Sequence, residues 1–78
     1  MTNLEKYIAA FEENLGVKGD ELENLEYQGI AAWDSVGHMT LMAALEDTFD
    51  IMLDTDDIID FSSFQKGKEI LKKYEIEL

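Results

Sequence analysis

Asp34, Ser35 and His38 are the residue types from which nucleophilic or phosphoryl chemistry is built, and they lie within five positions of one another. A Ser-His-Asp relay would need Ser35 on a sharp strand-to-helix turn, inside a Gly-x-Ser-x-Gly elbow. Gly37 fills the second glycine position, but Trp33 stands in the first, and no strand pattern precedes it. A small helical domain also offers little room for an enclosed cleft with an oxyanion hole. The other chemistry open to Ser35 is to carry a group. Gln28 to Trp33 show no helical period, whereas Val36 to Phe49 hold one for about four turns. A serine at that junction presents its hydroxyl to the positive end of a helix dipole, beside unpaired backbone N–H groups. A phosphodiester on Ser35 is stabilised there.

Other chemistry-bearing residues are weaker. His38 is the only histidine, and without cysteine no His/Cys metal set exists. It reads as a surface or partly buried ring in the first helical turn, or as a contact to a partner or to a group on Ser35 one turn away. Asp54, Asp56, Asp57 and Asp60 start like a calcium loop, but Ile58 and Ile59 occupy the places of a ligand and of the central glycine. A solvated helix cap is the favoured reading, and no metal site is expected. Met39 and Met42, with Leu45 and Phe49, read as core; the alternative is an adaptable lining for an acyl chain.

The elements that position these residues are helical. Thr2 with Glu5 forms a capping box, Leu4, Ile8, Phe11 and Leu15 repeat along one face with Tyr7 beside them, and Gly16 supplies a stop. A long connection from Val17 to Trp33 holds Leu22, Leu25, Ile30 and Trp33, enough to pack over the domain. The second helix starts at Asp34 or Ser35, with Asp34 as cap. Its apolar residues Val36, Met39, Leu41, Met42, Ala43, Leu45 and Phe49 cover a wide arc, which predicts contact with several neighbours. A short helix carries Ile58 and Ile59. Ser62 with Gln65 opens a last helix whose inner face holds Phe64, Gly67, Leu71 and Tyr74, and Lys72 and Lys73 suit its C-terminal end. No stretch alternates as a strand would. The expected class is all-α, a small four-helix bundle of three main helices and one short third helix, in one domain over residues 1–78.

Eighteen acidic residues against six lysines give a formal charge of −12. Nucleic acid is excluded as a partner, and basic protein surfaces are favoured, although charge also serves solubility alone. No apolar run approaches the ~18 residues of a membrane helix, so no membrane insertion is expected. With no cysteine and no signal-peptide pattern, a cytoplasmic monomer is expected.

The run Trp33-Asp34-Ser35-Val36-Gly37-His38-Met39, followed by Leu41-Met42, Leu45-Glu46, Phe49 and Ile51, resembles the acyl carrier proteins. The likeness extends over nearly the whole chain: helix, long acidic loop, Asp-Ser helix, short third helix, last helix. It implies that Ser35 is joined to 4′-phosphopantetheine by a separate phosphopantetheinyl transferase, and that Asp34 assists that transfer. The arm's thiol would hold an acyl or aminoacyl group as a thioester. Separate enzymes with basic docking surfaces would load and unload it, so the chain itself would not be an enzyme. Val36 stands where leucine is usual. Gly37 and Thr40 stand where family members often carry acids, and the acids fall at Glu46, Asp47, Asp50 and Asp54. Partner contacts are therefore expected at Val36, Met39, Glu46, Asp47 and Asp50. These departures leave a specialised pathway, in natural-product, lipid or surface-carbohydrate modification, open at least as much as general fatty-acid synthesis. An acidic helical adaptor that binds a basic partner without any prosthetic group is the alternative.

Overall fold

Thr2 starts the first helix as the sequence predicts. In the computed structural model, which covers residues 1–78, its hydroxyl accepts the Glu5 N–H at 3.1 Å and the Glu5 carboxylate accepts the Thr2 N–H at 2.9 Å. That reciprocal box opens α1, Asn3–Leu15, and Gly16 closes it in the left-handed region at φ 68°, returning its N–H to Glu12. α2 runs Ser35–Phe49, α3 Thr55–Asp60 and α4 Phe64–Lys73. The chain is all-α, with four helices and no strand; a single isolated bridge joins Glu26 to Ser63. No helix is long and apolar enough to cross a membrane.

One cluster of 17 buried apolar residues draws on every part of the chain except α3. α1 gives Tyr7, Ala10, Phe11 and Leu15, while α2 gives Leu41, Met42 and Leu45. The loop before α2, which contains one 3-10 turn at Gly19–Glu21, contributes Val17, Leu22, Leu25 and a wholly buried Trp33. Tyr7, Phe11, Trp33, Phe61 and Phe64 meet edge-on or tilted at centroid distances of 4.9 to 6.5 Å. Such aromatic contacts add to plain area burial. They stack α1, the loop and α4 into one mass.

Three expectations about α2 and α4 need correction. α2 does not bury a wide arc: Val36, Met39 and Ala43 are exposed, and only Leu41, Met42 and Leu45 are core. The last helix is not opened by Ser62 with Gln65. Ser62 gives its carbonyl to the Tyr27 N–H at 2.8 Å in the bridge, so the capping duty passes to Ser63, whose hydroxyl accepts the Lys66 N–H at 2.9 Å. Gln65 reaches across to the Glu23 carbonyl instead. On the inner face of α4, Ile70 is buried and Tyr74 only half-buried.

α3 has six residues, too few to hold itself, and its N-cap Asp54 makes no side-chain cap bond. Tertiary contacts hold it. Asp57 is buried, and its two carboxylate oxygens take Lys73 Nζ at 2.5 Å and the Tyr74 hydroxyl at 2.6 Å. A fully solvated cap was the wrong expectation for Asp57, because α4 brings a cation and a phenol against it; Asp54, Asp56 and Asp60 do remain exposed.

Candidate functional site

Asp34 has extended backbone at φ −100°, and its Oδ1 accepts the Gly37 N–H at 2.8 Å, which starts α2 at Ser35. His38 then donates its backbone N–H to the Asp34 carbonyl at 2.7 Å. The N–H groups of Ser35 and Val36 meet no backbone carbonyl, and the first turn contains no acid. Ser35 is solvent-exposed at the positive end of a 15-residue helix, with two free donors beside it. Gly37 is required by space. A Cβ there would run into the Ala32 carbonyl oxygen, because the incoming loop lies directly on the first turn.

Trp33 fixes that loop. Its ring is wholly buried, edge-on to Phe11 at 5.4 Å, and its backbone N–H and carbonyl bond to Ile30 and Gln28. Its indole N–H donates to His38 Nδ1 at 2.9 Å. An indole can only donate, so Nδ1 is the acceptor and the imidazole proton sits on Nε2. Nε2 therefore donates to the Ile58 carbonyl of α3 at 2.7 Å. With both nitrogens so engaged, His38 has no lone pair to offer Ser35, and the Asp34 carboxylate bonds the Gly37 N–H and not His38. The three residues are neighbours that form no relay.

Beside Ser35 lies a groove of about 270 Å³ between α2, α3 and the loop, with Tyr27, Met39, Ile58, Ile59 and Phe61 as its apolar lining and Ser35 and His38 completing it. Met39 is 54% exposed and belongs to this groove, whereas Met42 is core; the expectation that both were core holds for Met42 alone. Val36 and Ile59, 74% and 73% exposed, extend the apolar surface around Ser35. Of the acids expected to meet partners, Asp47 and Asp50 are exposed, Asp50 in the left-handed region at φ 54°. Glu46 is half-buried and accepts the Leu53 N–H at 2.8 Å, so it also pins the turn after α2.

Tyr27, Ile58, Ile59 and Phe61 were not singled out from the sequence as site residues. They come from segments far apart in the chain, and only the adjacent pair Ile58-Ile59, too apolar for so short and acidic a segment, signals a second surface to cover. Comparisons with protein-family models, with curated proteins and with solved structures find no match to this chain.

Proposed function

We propose that this chain is a carrier that holds a small group on Ser35 through a phosphodiester and presents it to partner enzymes. The observation that supports this most is the placement of Ser35: an exposed hydroxyl on the first residue of α2, two unpartnered N–H groups beside it, and an apolar groove alongside. The resemblance to acyl carrier proteins names the group as 4′-phosphopantetheine, and the residues suit it. The first-turn donors and dipole favour the phosphate, and the groove accepts apolar chain. When bound, the group supplies a thiol that carries an acyl or aminoacyl unit as a thioester. Asp34 holds the helix start in place while Ser35 is modified. Tethering gives the carried unit a high effective concentration at each partner, so the domain itself needs no catalytic groups.

The test is intact mass after incubation with coenzyme A, magnesium and a broad-specificity phosphopantetheinyl transferase. One added arm is expected, and none on Ser35→Ala, which folds normally because Asp34 still caps α2. Modification of that variant at Ser62, Ser63 or a threonine would overturn the assignment.

The exposed Val36, Met39 and Ile59 also favour the second reading, an acidic adaptor without a prosthetic group. Refusal of the arm by wild type, with retained binding to a basic partner, selects it.

In either reading the exposed acids steer encounter. Asp47→Asn with Asp50→Asn should slow association with a basic partner several-fold at low salt, an effect that fades as the Debye length shrinks from about 30 Å at 0.01 M to about 10 Å at 0.1 M. Stopped-flow association rates across a salt series measure it. Glu46→Gln, by contrast, should lower thermal stability as well, since Glu46 also anchors Leu53.

A further inference from the structure

Two of the polar ties that hold α3 leave from consecutive residues in opposite directions, and a third runs from the Asp54 N–H at its start to the Tyr74 hydroxyl at 2.9 Å. Asp57 reaches α4 through Lys73 and Tyr74, and the Ile58 carbonyl reaches α2 through His38. The first tie is a carboxylate with a cation and a phenol. The second is a neutral imidazole wedged between a buried donor and a backbone acceptor.

We propose that His38 is a proton-operated clasp: neutral, it holds α3 against α2 and fixes the shape of the groove beside Ser35, and protonated, it lets α3 go. The geometry demands the neutral ring. Protonation places a second N–H on Nδ1, 2.9 Å from the indole nitrogen of Trp33, so two donors face each other with no acceptor between. Trp33 cannot retreat, being wholly buried and packed on Phe11, Tyr27 and Phe61. The ring must therefore turn. Both nitrogens belong to one rigid plane, so turning Nδ1 away from Trp33 draws Nε2 away from the Ile58 carbonyl.

With that tie gone, α3 keeps its polar links to α4 and loses its hydrogen bond to α2. Ile58 and Ile59, which line one side of the groove, move with it. Histidine is the side chain whose charge ordinarily changes near neutral pH.

The titratable groups on the surrounding elements do not oppose this. Tyr27 stands edge-on to the ring at 5.2 Å, from the loop. Asp34 and Ser35 precede it on α2. Asp57 and Asp60 flank Ile58 on α3, and Asp57 is engaged by Lys73 and influenced by Lys66, both from α4. A transition that His38→Gln lacks belongs to His38. The clasp stands whether or not Ser35 carries a group; only its consequence for such a group rests on the carrier reading.

The experiment uses the unmodified full chain. Nitrogen-15 spectra of labelled histidine near pH 8 should show the Nε2-protonated tautomer. On lowering the pH to about 5, the imidazole shifts, the emission of Trp33 (the only tryptophan) and the indole N–H shift should change together with one midpoint. Amide protection at 58–61, corrected for intrinsic exchange, should fall by about tenfold, the effect of losing one ordinary hydrogen bond. His38→Gln should lack this transition. Three results overturn the proposal: an Nδ1-protonated ring near pH 8, titration of His38 without change at Trp33 or 58–61, or the same response in His38→Gln. The tautomer and titration are read on wild type, so the test survives if the variant does not fold.

Discussion

Gly67→Ala should unfold roughly 10 °C or more below the wild type, although alanine is the better helix former. Gly67 is buried mid-way along α4, and its backbone is ordinary helix, so its conformational freedom is not the issue. Space is. A Cβ at this position would overlap the Tyr7 hydroxyl and the edge of the Phe61 ring. Neither group is a flexible surface end. Tyr7 is wholly buried and donates to the Phe64 carbonyl at 2.7 Å, and burial pushes its hydroxyl far above the usual phenol range, so it remains a donor at any ordinary pH. Phe61 is 1% exposed and closes the aromatic cluster. Helix propensity returns about 1 kcal/mol, while overpacking costs about 1–3 and displacing a buried hydrogen bond about 1–3 more, leaving a net loss of about 1–5 kcal/mol. For a domain with a total stability of ~5–10 kcal/mol that is a large share. Thermal melts by circular dichroism check it. The double variant Tyr7→Phe, Gly67→Ala should recover part of the loss, because it removes one of the two clashing groups; an unchanged melt for the single variant would show that the core gives way freely.

The site depends on that cluster through a short chain of contacts. Phe61 and Phe11 hold Trp33, Trp33 holds both the loop and His38, and His38 reaches α3. Ser35 is thus placed by a helix whose start is fixed locally by Asp34, and by a loop whose end is fixed by the core. The groove beside it has a different status. Its α3 side is a six-residue helix that places no residue within the 17-residue core, packs only Ile58 against it, and is otherwise held by hydrogen bonds and one ion pair.

What could be read in the sequence follows the same division. The ends of α1 and the start of α2 were legible because a cap is local: Thr2 with Glu5, and Asp34 before Ser35, carry the information within one turn. The start of α4 was misplaced by one residue because two serines compete for one cap. The choice between Ser62 and Ser63 is made by a backbone bridge to Glu26 and Tyr27, far away in sequence. The exposure of Val36 and Met39 was not legible from periodicity either. Apolar residues around α2 look alike whether a neighbour covers them or not, and here only part of the helix is covered. Trp33 and His38 are five positions apart across a loop-to-helix junction, a spacing with no regular geometry, so their hydrogen bond appears only in three dimensions. Asp57 was hidden among three other aspartates for the same reason.

Asp57 should separate from those neighbours in acid. At neutral pH, Asp57→Asn is expected to cost about 2 kcal/mol, because it weakens one hydrogen bond from Tyr74 and a charge pair whose lysine is 61% exposed and therefore worth little by itself. The Lys73 ammonium first, then the Tyr74 hydroxyl, hold the Asp57 carboxyl below its ordinary value of 3.8. A carboxylate lowered by folding contributes stability that is fully present above the unfolded value and is lost as pH falls through the folded one. The gap between wild type and Asp57→Asn should therefore be constant from neutral pH down to about 5, then narrow as pH drops below 3.8, and vanish once the native carboxyl is protonated and resembles the amide. Lys73 is raised by the same partner, so its contribution is complete below its ordinary 10.5 and lost only in alkali above it. Asp54, Asp56 and Asp60 are exposed, and their amides should leave the melting curve nearly unchanged throughout. Urea midpoints at a series of pH values give the comparison. A gap that persists undiminished in strong acid would show that Asp57 acts by shape and not by charge, and that α3 is tied to α4 by packing alone.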